Sequence, residues 1–210
     1  PRDILTSFLM GATLCLFDPY CNDTLALARW MIKEGITIVG LPVGLLRNML
    51  QQMPETMQIP TLREISSGSE ALQRNDIELF QQRFGKHCVL VNAYGTTETM
   101  GGCVMACFDA NSKLEGERVP AGYADPGIEV LILDEDGTVL PPHKPGEIAI
   151  RSRYLSSGYW RQPELSAERF LPDPQNSDIV TFLTGDLGEV DASGSLIHLG
   201  RKDDQVKIRG

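Results

Sequence analysis

The sequence predicts an α/β layer built on a parallel sheet, followed by a mainly β portion that forms a small distorted β-barrel or sheet. Two observations carry this. In the first half, short β-branched or apolar runs alternate with segments whose apolar residues recur at helical spacing. Such alternation implies parallel strands joined by right-handed crossovers. In the second half the period shortens to strand-like runs separated by Asp-Gly and Ser-Gly pairs, the residue types of hairpin turns.

Each element follows from its residues. Residues 13–17 (TLCLF) predict a short strand. Asp23 caps a helix predicted over 24–34, in which Leu25, Ala28 and Ile32 share a face and Gly35 is the stop. Residues 36–41 (ITIVGL) are β-branched and apolar, as a fully buried strand requires, and Pro42 opens a helix to about Met53. Residues 62–66 predict a strand. Residues 76–84 predict a helix with Ile77, Phe80 and Phe84 on one face and Gly85 at its end, and 88–91 (CVLV) a further strand. The polar, aperiodic stretch 109–122 marks the change of class. Beyond it, 128–133, 146–151, 187–190 and 195–199 predict strands, with turns at Asp136-Gly137 and Ser193-Gly194. Pro141, Pro142 and Pro145 keep one connection non-helical, and only 163–170 reads as a helix there.

Composition excludes several function classes. The 210 residues carry 19 Lys+Arg against 28 Asp+Glu, a net charge of −9. Polyanions are repelled by that balance, so neither nucleic acid nor an anionic membrane surface is an expected partner. Hydrophobic residues at 42% and charged residues at 22% are those of a folded chain. No apolar run reaches the ~18 residues of a membrane span, and no signal peptide opens the chain. The five cysteines, Cys15, Cys21, Cys88, Cys103 and Cys107, form no CxxC pair. Their odd number argues against a closed disulfide framework, so a reducing, cytoplasmic compartment is expected. The three histidines, His87, His143 and His198, are not clustered and predict no zinc site. The chain opens without methionine and stops directly after a charged run, which reads as a piece of something larger.

Candidate chemistry sits where strands of a parallel sheet end. Two segments qualify, 66–70 (SSGSE) and 92–98 (NAYGTTE). Both combine glycine, hydroxyls and a carboxylate. Glycine lets the backbone approach a ligand, hydroxyls and backbone N–H groups hold phosphate oxygens, and a carboxylate among hydroxyls suits Mg²⁺. A nucleoside triphosphate with its metal fits this set; so does a Ser/Thr-rich turn capping a helix. Thr184-Gly185-Asp186 reads either as an exposed aspartate that accepts two ribose hydroxyls or as a turn residue. The run 200–210 (GRKDDQVKIRG) is either a binding element or a solvated edge strand. No Walker-type phosphate loop and no GxSxG elbow occurs.

Five motifs in order, NAYGTTE (92–98), GEIAIRS (146–152), SSGYW (156–160), LTGD (183–186) and GRKDDQVKIRG (200–210), resemble the signature of adenylate-forming enzymes. Within that superfamily the chain is most similar to the adenylation domains of non-ribosomal peptide synthetases. The resemblance implies activation of a carboxylic, here amino, acid with Mg-ATP to an acyl-adenylate. Transfer then goes to the phosphopantetheine thiol of a carrier protein domain. It implies an α/β part over 1–112, a β-rich part over 113–202 and the start of a hinge at 203–210. The remainder of the adenylation domain, with its phosphate loop upstream and a lysine-bearing domain downstream, completes the enzyme, so the isolated chain is expected to fold without turning over.

Roles follow by position in the motifs. Tyr94 would stack on adenine, with Asn92, Ala93, Gly95 and the Gly68, Ser69, Glu70 segment around it. Thr96 and Thr97 would contact phosphate and Glu98 would bind Mg²⁺. Asp186 would hold the ribose, Arg201 the ribose and phosphate, and Asp203 would be the hinge. Thr97, Glu98 and Arg201 form the implied catalytic set. His198 falls where relatives carry an aromatic against adenine, or is a half-exposed strand residue. The acyl pocket would be lined by Arg2, Gly40, Ile65, Ser67, Ala93, Gly101 and Gly102. That set predicts a bulky or extended acyl group, unless the Gly101-Gly102 pair is purely conformational. Arg2 would meet a second polar group of the substrate or point to solvent. Thr96 replaces the proline usual in peptide synthetases and makes an acyl- or aryl-CoA ligase the alternative. A non-catalytic nucleotide-binding or docking scaffold is the alternative of another class.

Overall fold

The computed structural model describes residues 2–18 and 23–202, apart from the side chains of residues 2 and 3. Two compact units emerge, one of Pro1–Asn92 with Cys107–Val119 and one of Ala93–Ala106 with Pro120–Arg209. The second cysteine, Cys21, and the expected hinge residue, Asp203, lie outside the described residues.

In the first unit, α1 (Arg2–Leu9) precedes α2 (Thr24–Glu34). The α2 bounds are those expected. The Asp23 carboxylate accepts the Ala26 N–H at the start, and Gly35, at φ 62°, closes the end. Then β1 (Ile38–Pro42), α3 (Val43–Gln52), β2 (Glu64–Gly68), α4 (Arg74–Arg83) and β3 (Val89–Thr96) alternate. β1 and β2 are parallel, with Gly40 opposite Ser66 and Leu41 opposite Ser67, and β3 follows β2 in the sheet. Met31, Leu46, Met49, Leu50, Ile65, Ile77, Phe80 and Leu90 are buried as the core. Inside this unit Asp76 accepts two bonds from Arg47, at 2.8 and 2.7 Å, and caps α4 through the Gln73 N–H.

Four expectations change. β1 is not fully buried: Leu41 is buried but Ile38 is exposed, because β1 stands at the edge of its sheet. Residues 13–17 form no strand: Leu16 is exposed, and Phe17 packs on Trp30 with ring centroids 5.0 Å apart, so the apolar side chains serve local contact. Helix α1 was unanticipated; its apolar residues Leu5, Phe8 and Leu9 are exposed. β2 and β3 run further than expected, so Ser67 and Gly68, and residues 92–96, are strand rather than loop.

In the second unit the end of β3 lies beside β4 (Gly101–Phe108), and β4 pairs antiparallel with β5 (Tyr123–Ala124). Gly95 is required there, since a Cβ on it would fall 1.8 Å from the Gly101 carbonyl oxygen. A second sheet has the order β10-β9-β7-β6, from β6 (Ile128–Leu133), β7 (Gly146–Ser152), β9 (Val180–Val190) and β10 (Leu196–Arg201). α5 (Pro163–Arg169) leads into β8 (Phe170–Pro172), which adds to β9. The sheet alternative of the expected barrel-or-sheet is therefore realised. Ile132, Ile148, Ile150, Val104 and Leu196 are its core, with Tyr94 packed against them. The Asp136-Gly137 and Ser193-Gly194 turns form as expected, each tied by an aspartate, Asp134 and Asp191, that accepts backbone N–H groups.

Two irregularities shape the ligand-type residues. β7 residues Glu147 and Ala149 face Leu187 and Leu183, so Thr184, Gly185 and Asp186 of β9 bulge opposite the single residue Ile148. On the other edge of β9, Leu199 is the extra residue between His198 and Gly200, and Arg201 is brought opposite Asp186.

Candidate functional site

The second unit holds Tyr94, Thr96, Thr97, Glu98, Asp186, His198 and Arg201 of the expected residues. The bulge turns Asp186 inward, where it is only 7% exposed, rather than into the exposed turn the sequence suggested. Thr184 locks the bulge: its hydroxyl donates to the Ile148 carbonyl at 2.7 Å and accepts the Asp186 N–H at 3.0 Å. Asp186 Oδ2 accepts the Tyr94 hydroxyl at 2.8 Å. Its Oδ1 accepts Arg201 Nη1 at 3.1 Å and lies 3.8 Å from His198 Nε2. Burial alone would raise the Asp186 carboxyl; His198, Tyr94 and Arg201 outweigh it and hold the group below the usual carboxylate range. Tyr94 is pushed the other way, far above an ordinary phenol, by burial and then by the Asp186 charge. Arg201 also donates to the Thr184 carbonyl at 3.1 Å. Gly185, at φ 72°, passes the guanidinium closely; a Cβ there would sit 3.1 Å from Nη2.

Tyr94 and His198 meet with ring centroids 5.5 Å apart, tilted by 39°. A base between the two rings would require them to part. Beside this pair, Thr97 is exposed and Glu98 half-buried. Glu98 Oε1 accepts the Tyr159 hydroxyl at 2.6 Å, and its backbone carbonyl accepts the Ser156 N–H at 2.9 Å. Burial would raise the Glu98 carboxyl, but the Tyr159 hydroxyl, hydrogen bonding to its own backbone and the charge of Arg201 hold it lower than usual. The Thr96 hydroxyl also favours the ionised form, yet its buried oxygen reaches hydrogen-bond geometry with no described group. A half-buried carboxylate held below its usual range next to the Thr96 hydroxyl is a donor set of hard oxygens, which fits Mg²⁺. Thr99 fixes the turn between, accepting the Thr96 N–H at 2.9 Å and pairing with the Thr96 and Gly101 carbonyls.

The other expected residues fall elsewhere. Gly68, Ser69, Glu70 and Asn92 belong to the first unit, with Asn92 buried and Ser69 in the left-handed region at φ 72°. Of the acyl-pocket set, Ile65 and Ser67 turn to the buried face of β2, and the Ser67 hydroxyl donates to the Leu41 carbonyl at 2.9 Å. Gly40, in register with Ser66, lies on the opposite face, because side chains alternate along a strand. The structure therefore does not join Gly40 to Ile65 and Ser67 as one wall. Ala93, Gly101 and Gly102 are half-buried in the second unit, and the Arg2 side chain lies outside the described residues.

Reading the sequence missed Thr184, Tyr159 and Glu147 as parts of the site. Glu147 accepts the Gly185 N–H at 3.1 Å and Lys202 Nζ at 2.9 Å, steadying the bulge and the end of β10. Each stands inside a motif quoted for the resemblance, but Ile148 for Thr184, Gly185 for Glu147 and Glu98 for Tyr159 lie 36, 38 and 61 residues away along the chain.

The fold of the chain is that of adenylation domains. It superposes on an NRPS protein containing adenylation and PCP domains, PA1221, with a TM-score of 0.78 and 27% identity, covering 89% of this chain and 37% of that one. On NpsA-ThdA, an artificially fused adenylation-PCP di-domain NRPS from Klebsiella oxytoca, the TM-score is 0.83 at 25% identity, covering 98% and 41%. The AMP-binding enzyme family matches residues 2–160, and the chain belongs to that family. It is 35% identical over 214 residues to a linear gramicidin synthase polypeptide of Brevibacillus parabrevis, covering 99% of this chain and 2% of that protein. It is 33% identical over 211 residues to surfactin synthase subunit 1 of Bacillus subtilis (strain 168), covering 99% and 6%. The chain thus spans a small fraction of the length of these relatives. Among the described residues, no helix is long and apolar enough to cross a membrane.

Proposed function

We propose that the chain is part of an adenylation domain, an ATP-dependent ligase that activates an amino or other carboxylic acid to its acyl-adenylate and passes the acyl group to a carrier domain's phosphopantetheine thiol. The observation that carries this is the geometry of the motif residues in a chain of the AMP-binding enzyme family: Asp186 accepts the Tyr94 hydroxyl at 2.8 Å and Arg201 Nη1 at 3.1 Å, and the Glu98 carboxylate is held by the Tyr159 hydroxyl at 2.6 Å. In the first half-reaction a carboxylate oxygen of the acid bonds to the α-phosphorus of ATP and pyrophosphate leaves. In the second, the thiol sulfur bonds to the acyl carbon and AMP leaves.

The chain's residues divide the work. Asp186, held ionised, keeps lone pairs on Oδ1 and Oδ2 beyond those that take Arg201 and Tyr94, and accepts hydrogen bonds from ribose hydroxyls there. Tyr94 and His198 offer aromatic surface to adenine. Thr96 and Thr97 donate hydroxyls to phosphate, and Arg201 opposes the charge that builds on phosphorus in the transition state. Glu98 holds Mg²⁺, which when bound draws charge from phosphate oxygens. Gly68, Ser69, Glu70, Asn92, Ala93 and Gly95 line the nucleotide, and Asp203 serves as the hinge. Arg2, Gly40, Ile65, Ser67, Ala93, Gly101 and Gly102 are proposed for the acyl side, with the strand faces of Gly40 and Ile65 counting against one shared wall. The partition into 1–112, 113–202 and a hinge from 203, and a cytoplasmic location, belong to the same proposal.

The test is acid-dependent ATP–pyrophosphate exchange across a panel of acids, on the intact protein that carries this chain. Exchange that needs Mg²⁺ and is lost in Glu98→Gln supports the reading. ATP binding indifferent to both Mg²⁺ and Glu98 supports the docking scaffold instead. Thr96 favours a second reading, the acyl- or aryl-CoA ligase, which predicts transfer to free coenzyme A.

A further inference from the structure

We propose that Tyr159 is a positioning residue for Glu98, its hydroxyl setting the carboxylate in the orientation in which it takes up a divalent cation. This rests on the reading of Glu98 as the cation-holding group.

The segment around Tyr159 grips Glu98 at two points. The Ser156 N–H donates to the Glu98 backbone carbonyl at 2.9 Å, and the Tyr159 hydroxyl donates to Oε1 at 2.6 Å. One grip fixes the backbone and the other the end of a side chain that would otherwise rotate about three bonds. Tyr159 is itself held. Its N–H donates to Ser166 Oγ at 2.8 Å, and that hydroxyl donates to the Gln162 carbonyl at 2.7 Å. The ring meets Phe170 edge-on at 5.5 Å, and Phe170 packs on Phe182 at 4.8 Å. Gly158, at φ 124°, lets this turn lie against α5, where a Cβ would come within 2.9 Å of Ser166 Oγ. The result is a strut running from α5 and β8 to one carboxylate oxygen 61 residues away in sequence.

The chemistry of the group matters. A phenol donates a single proton and carries no charge, so it orients the carboxylate without neutralising it. A lysine or arginine in its place would compete with the cation for the same charge. Groups that orient a metal ligand act on the metal in this way, and losing one typically weakens metal affinity or activity by about 10–100-fold.

The test is Tyr159→Phe in the intact protein, which keeps the ring packing and removes only the hydroxyl. The Mg²⁺ concentration for half-maximal exchange should rise by about tenfold. Binding of Mn²⁺ in the presence of ATP, followed by water-proton relaxation, should weaken in parallel. In the Glu98→Gln background, where exchange is already lost, Tyr159→Phe should leave the residual Mn²⁺ binding unchanged. Unchanged cation dependence with only a lower Tm, or a further loss on top of Glu98→Gln, overturns the proposal and leaves Tyr159 a structural residue. Should Tyr159→Phe not fold, Ser166→Ala, which removes the acceptor of the Tyr159 N–H and leaves the Tyr159 phenol in place, should raise the Mg²⁺ requirement, by less than the loss of the phenol itself; no rise overturns the proposal. A wild type that ignores Mg²⁺ overturns the reading of Glu98 and this inference with it. A responsive wild type, an inert Glu98→Gln and a normal Tyr159→Phe overturn the role of Tyr159 alone.

Discussion

Replacing Asp76 with asparagine tests what holds the α/β unit together. The Asp76 side chain is 1% exposed and that of Arg47 26%. Asparagine keeps the shape and one acceptor but removes the charge and sets an amide N–H against the guanidinium. Breaking a buried pair by removing one partner costs about 3–5 kcal/mol. The lower end applies here, since the partly exposed Arg47 can recover water, so about 3 kcal/mol is expected. For a chain of this size that lowers Tm by roughly 6–12 °C. Arg47→Met leaves the carboxylate with, among the described residues, only the Gln73 N–H, and should cost more, about 4 kcal/mol. The double variant Arg47→Met/Asp76→Leu removes both charges and should lie within about 2 kcal/mol of wild type. The chain has two tryptophans, Trp30 in the first unit and Trp160 in the second. Urea unfolding followed by fluorescence in a Trp160→Phe background therefore reports on the right unit. Single variants that cost under about 1 kcal/mol, or a double variant as costly as their sum, would refute the reasoning.

Three further outcomes are expected. Gly95→Ala should prevent folding or cost more than about 3 kcal/mol, because its Cβ meets a backbone oxygen that cannot move aside, whereas Gly44→Ala, with open space in α3, should gain about 0.5–1 kcal/mol; denaturant midpoints of the two variants check this. Cys88, 2% exposed and pushed up by burial to about 11, should stay unreactive toward a thiol reagent at pH 8 until the chain unfolds, while exposed Cys107 reacts at once; mass mapping of labelled peptides reads the order. Asp186 is held below the usual carboxylate range, so its contribution is fully present above about pH 4 and is lost as pH falls through the lower folded value. The stability gap between wild type and Asp186→Asn, measured by unfolding at stepped pH, should therefore be constant near neutrality and close in acid. A gap that widens on acidification would contradict the assignment.

Much of the fold was legible because the signals are local. Helix α2 begins at a side chain that caps it and ends at a glycine with positive φ, and both are properties of a few adjacent residues. The hairpin turns at Asp136-Gly137 and Ser193-Gly194 are local too, each closed by an aspartate within five residues. The run 13–17 failed for the opposite reason. Its apolar pattern suits a strand, but a strand exists only with a neighbour to pair with, and Phe17 found Trp30 instead. β3 was read short because NAYGT looks like a loop by composition, while hydrogen bonding to adjacent strands draws it out to Thr96.

The motifs by themselves determined the family and which carboxylates, hydroxyls and cation to watch, since a motif is written in residue types at short spacing. The tertiary structure decided what those residues do to one another. Asp186 is buried because three residues of β9 bulge opposite one of β7, and Arg201 reaches it because β10 carries an extra residue at Leu199. Glu98 is oriented by a tyrosine 61 residues downstream. Register, bulges and long-range hydrogen bonds depend on which strands meet and where the chain shifts by one residue. No window of sequence contains that information, because the free energy that selects it is summed over contacts between distant segments.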